Sequence, residues 1–241
     1  MEKKKQHAVI VGGSSGIGLA TAATLLNRGY AVTITGRNAE KLREAANSLS
    51  GSASTAAFDG GKPEEVRGFF QELGAFDHLV LCLSGGKGLG PFATLDLGEV
   101  RAGVDEKVWP QLSCAQAALP TIGKNGSITF VSAVSAQMAA PGIAGLAAIN
   151  GMLLSVTPIL AMELKPVRVN AVAPGVIDTP WWSFLPPDRR QAAFSEYGGK
   201  TPVGRVGRPE EVAEAIASLV SNGFITGQVL TVDGGLRYAA A

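Results

Sequence analysis

Short apolar runs rich in β-branched residues alternate along this chain with longer stretches whose apolar positions recur at helical spacing. Residues 8–11, 31–35, 55–58, 78–83, 126–131, 167–172 and 228–232 read as strands. Between them, residues 17–28, 40–49, 63–73, 95–119, 143–164 and 210–220 read as helices. Gly29 stops the first helix, and Pro63 falls in the first turn of the third, where its missing N–H costs nothing. A glycine-rich loop covers residues 85–90. Pro110 and Pro158 fall inside the two longest helical stretches. Each either removes a helical hydrogen bond and kinks the helix, or marks a helix end at that point.

Strand–helix alternation of this kind predicts βαβ units, right-handed crossovers and a doubly wound parallel sheet of the Rossmann type. Ligands in such sheets bind beyond the carboxyl ends of the strands. No stretch of the 241 residues reads as a tether and no fixed-period repeat is present, so one domain covering residues 1–241 is expected.

Composition narrows this picture only slightly. Hydrophobic residues make up 46% of the chain and charged residues 17%, enough apolar material for a sheet buried on both faces. The net charge of +1 gives no support for a nucleic-acid or membrane partner. Cys82 and Cys114 read as small core hydrophobes, reduced, in a cytoplasmic protein. The basic start, Met1-Glu2-Lys3-Lys4-Lys5, leads into an apolar run too short for a signal sequence, and a strand is expected there. No apolar run free of breakers is expected to span a bilayer. No metal site is assigned.

The first chemistry-bearing segment is Gly12-Gly13-Ser14-Ser15-Gly16-Ile17-Gly18, between a predicted strand and a predicted helix. Glycines let the turn close and let the backbone approach a pyrophosphate, and the helix that follows offers free N–H groups and a positive dipole end. After the second strand come Gly36, Arg37 and Asn38. No carboxylate stands at residue 36 to accept ribose hydroxyls or repel a 2′-phosphate, and Arg37 offers a phosphate-matched donor fork, or else is a solvated surface arginine.

The glycine turn resembles the T-G-x-x-x-G-I-G signature of the short-chain dehydrogenase/reductase family, with Gly12 in place of the threonine. The resemblance continues to the C-terminal end through Asp59, the run Arg168-Val169-Asn170-Ala171-Val172-Ala173-Pro174-Gly175, Thr179, the segment Gly207-Arg208-Pro209-Glu210-Glu211-Val212-Ala213, and Val232-Asp233-Gly234-Gly235. It implies NADP(H) as cofactor and hydride transfer to or from a carbonyl or alcohol. Gly12, Ser14, Ser15, Gly16, Ile17 and Gly18 would hold the phosphates, Arg37 and Asn38 the 2′-phosphate, and Asp59 the adenine. Leu83, Ser84 and Gly85 would pass beside the cofactor, although the family's asparagines are missing from that loop. Pro174, Gly175, Ile177 and Thr179 would hold its nicotinamide end.

In the family a tyrosine passes the proton, a lysine one helical turn later tunes it and binds the nicotinamide ribose, a serine orients the oxygen, and an asparagine on the preceding helix supports a water relay. Counting back from Ala161-Met162-Glu163-Leu164, the lysine position falls on Asn150 and the tyrosine position on Leu146. Forward from Val131-Ser132, the serine position is Ala133; back from Leu119-Pro120, the asparagine position is Lys107. None matches. No register shift repairs this, because residues 133–163 contain neither tyrosine nor lysine. Asn150 is then expected near the nicotinamide ribose, a weak substitute for lysine.

Two readings follow. In the first, the chain is an enzyme with a displaced mechanism, in which Lys107 supplies the missing cation and Ser132, Ser135 or a water relays protons. Its bland counterpart places Lys107 on a solvated helix face. In the second, the chain is a catalytically silent NADP(H)-binding module, or the partner of an active homologue. Residues 180–200 are expected to form a substrate lid. Its Trp181, Trp182, Phe184, Phe194 and Tyr197 point to an apolar or aromatic ligand, or simply pack the lid onto the body. The resemblance also implies a homo-oligomer, dimer or tetramer, with Pro110 and Pro158 in the helices that usually form its interface.

Overall fold

The computed structural model describes residues 5–239. The first four residues of the basic start lie outside that range; the apolar run after them is a strand. Seven strands form one sheet: β1 (His7–Val11), β2 (Ala31–Gly36), β3 (Ser54–Ala57), β4 (Phe76–Leu81), β5 (Ile122–Val131), β6 (Arg168–Pro174) and β7 (Val229–Val232). Their spatial order is β3-β2-β1-β4-β5-β6-β7, and every pairing is parallel. The sheet is the expected doubly wound, Rossmann-type single domain. Its order reverses between β1 and β4, which opens a crevice at their carboxyl ends.

The connecting helices are α1 (Gly16–Asn27), α2 (Ala39–Ser48), α3 (Pro63–Leu73), α4 (Leu97–Ala118), α5 (Ala144–Glu163), α6 (Pro187–Lys200) and α7 (Pro209–Ser221). Two cores result, one on each face of the sheet. On one face Leu79, Ile128 and Phe130 pack with Phe70 of α3, Val108 of α4 and Leu153 of α5. On the other, Ile10 and Ile34 pack with Leu25 of α1, Leu42 of α2 and Ile216 of α7. Central strands buried on both faces explain the near-continuous apolar runs in the sequence.

Several expectations need correcting. β4 ends at Leu81, so Cys82 and Leu83 belong to the loop above the sheet; Cys114 is a core residue, but Cys82 lines the crevice. Helices α4 and α5 run through Pro110 and Pro158, so neither proline ends a helix. Pro110 is buried and Pro158 exposed, and each helix continues past the hydrogen bond its proline removes. Helix α5 is also long and apolar enough to cross a membrane by length and composition, with mean hydropathy 1.7, against the expectation of no such run. Its Ile149, Leu153 and Ala161 sit in the core on the β6 side, which accounts for one apolar face, while Ile159 and Met162 on the other face are exposed. Residues 180–200 contain a short 3-10 turn, Pro180–Phe184, and a full helix, α6, that the sequence pattern did not indicate.

The run at residues 168–170 has a clear structural task. The Arg168 guanidinium donates to the carbonyls of Leu219 (2.7 Å), Val220 (2.8 Å) and Ile225 (3.0 Å). Asn170 donates to Ile225 O (3.0 Å) and accepts from Gln228 N (3.0 Å). Together they seat the end of α7 and the start of β7 against β6, satisfying carbonyls that the helix end leaves unpaired.

Candidate functional site

A cavity of about 860 Å³ opens at the carboxyl ends of the strands. One wall is the turn between β1 and α1. Gly12 has φ +83° and Gly16 φ +52°, backbone that side chains rarely adopt. A Cβ on Gly12 would lie 2.7 Å from Cys82 O, and one on Gly18 would lie 2.1 Å from Gly12 O. The amides of Gly12 and Gly13 both donate to Thr35 O, which ties the turn to β2. Ser15 caps α1 with its backbone in extended conformation but makes no side-chain cap bond, so the first-turn N–H groups keep no side-chain acceptor there. This cradle suits a diphosphate: close backbone, no Cβ in the way, and a positive helix end.

The other expected cofactor residues divide into two sets. Ser15, Gly16, Ile17, Gly18, Leu83, Ser84, Gly85, Asn150, Pro174, Gly175, Ile177 and Thr179 all line the cavity with Gly12. Thr179 is buried and its side chain lies against Gly16. Ser14, Arg37, Asn38 and Asp59 lie outside the cavity wall, around the ends of β2 and β3. The Ser14 hydroxyl is near Gly36. Arg37 is exposed, and Asn38 caps α2 by accepting from Lys41 N at 3.0 Å. That cap fixes the first turn of α2, and Lys41 on that turn lines the cavity. Nothing in the sequence marks Lys41, because only the cap at Asn38 shows where the helix begins and hence which way its first turn faces.

At the opposite end lies a buried polar cluster on α4, β5 and α5. Lys107 is only 7% exposed, so it does not lie on a solvated helix face. Its ammonium donates to Asn150 Oδ1 at 2.7 Å and to Ser132 O at 3.1 Å. Its third N–H has no acceptor among the described residues. Burial pulls Lys107 down to about 8, opposed in part by the neighbouring Cys82 thiol. Asn150 donates to Leu146 O (2.9 Å) and Ser135 Oγ (3.1 Å), so both amide hydrogens are engaged inside the protein. It therefore holds Lys107 and Ser135 in place, and offers no free donor to a ribose. The Ser132 hydroxyl donates to Asn150 O at 2.9 Å. Ser135 lines the cavity as the cluster's outward hydroxyl, and Leu146 and Ala133 line it too.

Gln111, one turn after Lys107 and fully buried, was also missed. It donates to Leu83 O (3.0 Å) and Val131 O (3.2 Å), tying together the loops that leave β4 and β5. No sequence pattern marks it, because both its acceptors are backbone atoms distant along the chain.

The segment after β6 closes one side. Trp181 donates from its indole to Gly85 O (3.1 Å), and Trp182 to Ile177 O (3.0 Å). Trp182 packs against Phe184, Phe194 and Tyr197. An Arg190–Asp178 ion pair fastens α6 to the same segment. Trp181, Trp182, Phe184 and Tyr197 line the cavity, while Phe194 packs behind them. The aromatics thus both line the cavity and pack the segment onto the body.

Residues 11–237 match the family model described as enoyl-(acyl carrier protein) reductase. Among curated relatives, the chain is 34% identical over 242 residues to cis-4-hydroxycyclohexanecarboxylate dehydrogenase of Sinomonas cyclohexanicum, covering 95% of each chain. It is 32% identical over 238 residues to a 3-oxoacyl-(acyl-carrier-protein) reductase of Mus musculus, covering 95% of this chain and 96% of that one. Among solved structures, a small-chain dehydrogenase in complex with NADPH superposes with a TM-score of 0.85 at 28% identity, over 98% of this chain and all of the other. A short-chain type dehydrogenase/reductase from Mycobacterium ulcerans superposes with a TM-score of 0.87 at 27% identity, over 99% and 92% of the two chains.

Proposed function

The chain belongs to the short-chain dehydrogenase/reductase family, and from that premise we propose that it is an NADP(H)-dependent oxidoreductase whose proton donor is Lys107. The family's usual tyrosine, lysine, serine and asparagine are replaced here by Leu146, Asn150, Ala133 and Lys107. Bound NADP(H) supplies the hydride exchanged with a carbonyl or alcohol carbon.

The residues present fit that cofactor. The cradle from Gly12 to Gly18 holds the diphosphate, and Ser14, Arg37, Asn38 and Lys41 hold the 2′-phosphate. Asp59 takes the adenine, and Pro174, Gly175, Ile177 and Thr179 hold the nicotinamide end. The segment around residues 180–200 serves as substrate lid.

One observation carries the proton route: the buried Lys107 ammonium is wired to Asn150 Oδ1 and Ser132 O while one N–H is free of any acceptor among the described residues. Lysine and asparagine have exchanged helices relative to the family pattern, so the cation is kept and only its origin changes. During reduction Lys107 holds a proton toward the substrate oxygen, directly or through one water, and gives it up as negative charge develops there. Burial pulls the lysine toward neutral pH, which makes it an effective acid. Asn150 orients it, and Leu146 contributes only apolar wall.

The test is NADPH oxidation against a broad carbonyl panel. Lys107→Met should lower kcat/KM by about 10²–10⁴, while calorimetry still finds NADPH binding. An unchanged rate in that variant removes Lys107 from the mechanism. NADPH binding with no oxidation by any carbonyl would favour the silent module, a reading consistent with the apolar Leu146 and Ala133 over the site.

A further inference from the structure

The charges around the cavity are uneven. Four cations line it, Lys41, Lys107, Lys200 and Arg237, against a single carboxylate among the described residues, Glu196. Glu196 is already paired with Lys200 at 2.7 Å. Lys41 stands at the α2 end and Lys107 is engaged with Asn150. Arg237 remains.

Arg237 sits in the 3-10 turn Leu236–Tyr238, which packs on the turn Val134–Gln137 that carries Ser135. It is therefore at the Lys107–Ser135 end of the cavity. Its guanidinium forms no ion pair or hydrogen bond among the described residues. Its Cζ lies 4.6 Å from the centre of the Tyr238 ring, and its Nη1 is shielded from solvent without a partner. The neighbouring carboxylate, Asp233, accepts instead from the backbone amides of Gly235 and Arg237, both at 3.0 Å. That contact holds the turn and leaves the Arg237 guanidinium without a carboxylate partner among the described residues. A shielded guanidinium nitrogen without a partner is unfavourable, and an anion that supplies the missing acceptors gains a charge-assisted bond. Met138, Ile143, Leu146, Trp181 and Phe184 give the same cavity an apolar lining.

We propose that Arg237 is the anion-recognition residue of the substrate pocket and that the substrate is an amphipathic acid. Its apolar body lies on the wall formed by Ile143, Leu146 and Trp181, and its carboxylate meets Arg237. The proposal refines the expectation of an apolar or aromatic ligand, and it rests on reading this cavity as the substrate cleft of an oxidoreductase.

The experiment reads binding rather than turnover. Phenylacetate and phenylacetamide, equal in shape but different in charge, are titrated against the protein, with and without NADP⁺. Quenching of the tryptophan fluorescence, to which Trp181 and Trp182 contribute from the cavity wall, is recorded. The acid should bind about tenfold tighter than the amide, as a charge-assisted bidentate contact predicts, and added salt should weaken only the acid. Arg237→Gln should erase the preference, and Arg237→Lys should retain part of it. Equal affinities, failure of both probes to bind at millimolar concentration, or a preference that survives in Arg237→Gln would overturn the proposal. An acid preference without any NADPH oxidation would leave this site standing while the proposed catalysis fell.

Discussion

The two ends of the cavity are built by different means. At the β1–α1 turn the backbone itself forms the site: the carbonyl of Gly12 passes where a Cβ of Gly18 would be, and Cys82 O occupies the space beside Gly12. At the Lys107 end, side chains form the site, and each is held by another side chain or by a carbonyl. A backbone site admits almost no substitution. A side-chain network can exchange its members between neighbouring helices and still present a cation. On the proposed reading, this contrast is how the diphosphate turn can keep the family pattern while the proton donor moves to Lys107.

The largest effect is expected at the backbone end. In Gly18→Ala the new methyl would begin 2.1 Å from Gly12 O, so the turn must open. Ordinary overpacking costs about 1–3 kcal/mol, and a clash with backbone that cannot rotate away should reach about 4 kcal/mol. Urea denaturation should show that loss, and NADPH binding should weaken with it. A variant of near wild-type stability would contradict the tight turn.

Lys107 gives the next test, because its shift also governs stability. Its value in the folded protein, about 8, is below the ordinary 10.5 of the unfolded chain. Between those values the unfolded chain binds more protons, so raising the pH from about 8 toward 10.5 favours the folded state. The full gain is about 3 kcal/mol. Cys82 and Cys114 act in the opposite direction above their ordinary value, since burial pushes both thiols up to about 12. The informative quantity is therefore the difference between wild type and Lys107→Met, measured by urea denaturation across that range. Wild type should gain stability relative to the variant as the pH rises. A constant difference would mean that the lysine is solvated and not a tuned acid. The same titration should make carbonyl reduction by wild type fall as the pH passes about 8, because the donor is the charged form.

The contrast between the two ends also governs what the sequence disclosed. Seven strands were legible because the sheet is covered on both faces and requires β-branched runs. The glycine turn was legible because φ above zero and backbone crowding admit one residue type. The burial of Lys107 was not legible. A lysine on a helix ordinarily faces water, and its partner Asn150 lies 43 residues away on another helix. Asn150 is legible as a site position, but nothing in the sequence reveals that its amide donates to Leu146 O and Ser135. Helix α6 was missed although Pro187 stands in its first turn and Lys200 in its last, because the aromatic residues before it read as a loop closing on a core. Arg168 was read as part of a family motif, and only the structure explains it as a clamp on three carbonyls.

The smallest expected effect lies on the exposed rim of the backbone end, where side chains again decide. Arg37 is exposed at the end of β2, and Gly36 before it brings no carboxylate. Lys41 follows on the first turn of α2, held in register by the Asn38 cap. Two cations at this rim favour a 2′-phosphate over a bare ribose, but both are solvated, so each contributes modestly. A Cβ at Gly36 would meet only ordinary contacts with Leu42 and Ser14, so size does not exclude a side chain there and charge alone makes the distinction. NADPH should bind at least about tenfold tighter than NADH, equivalent to about 1.4 kcal/mol. Arg37→Ala should remove most of that margin, and Arg37→Ala with Lys41→Ala the remainder. Gly36→Asp should go further and reverse the preference, because it adds an acceptor for the ribose hydroxyls and repels the phosphate. Equal calorimetric affinities for the two cofactors in wild type would show that this rim does not read the phosphate, and the contrast would then be confined to the diphosphate turn and the Lys107 cluster.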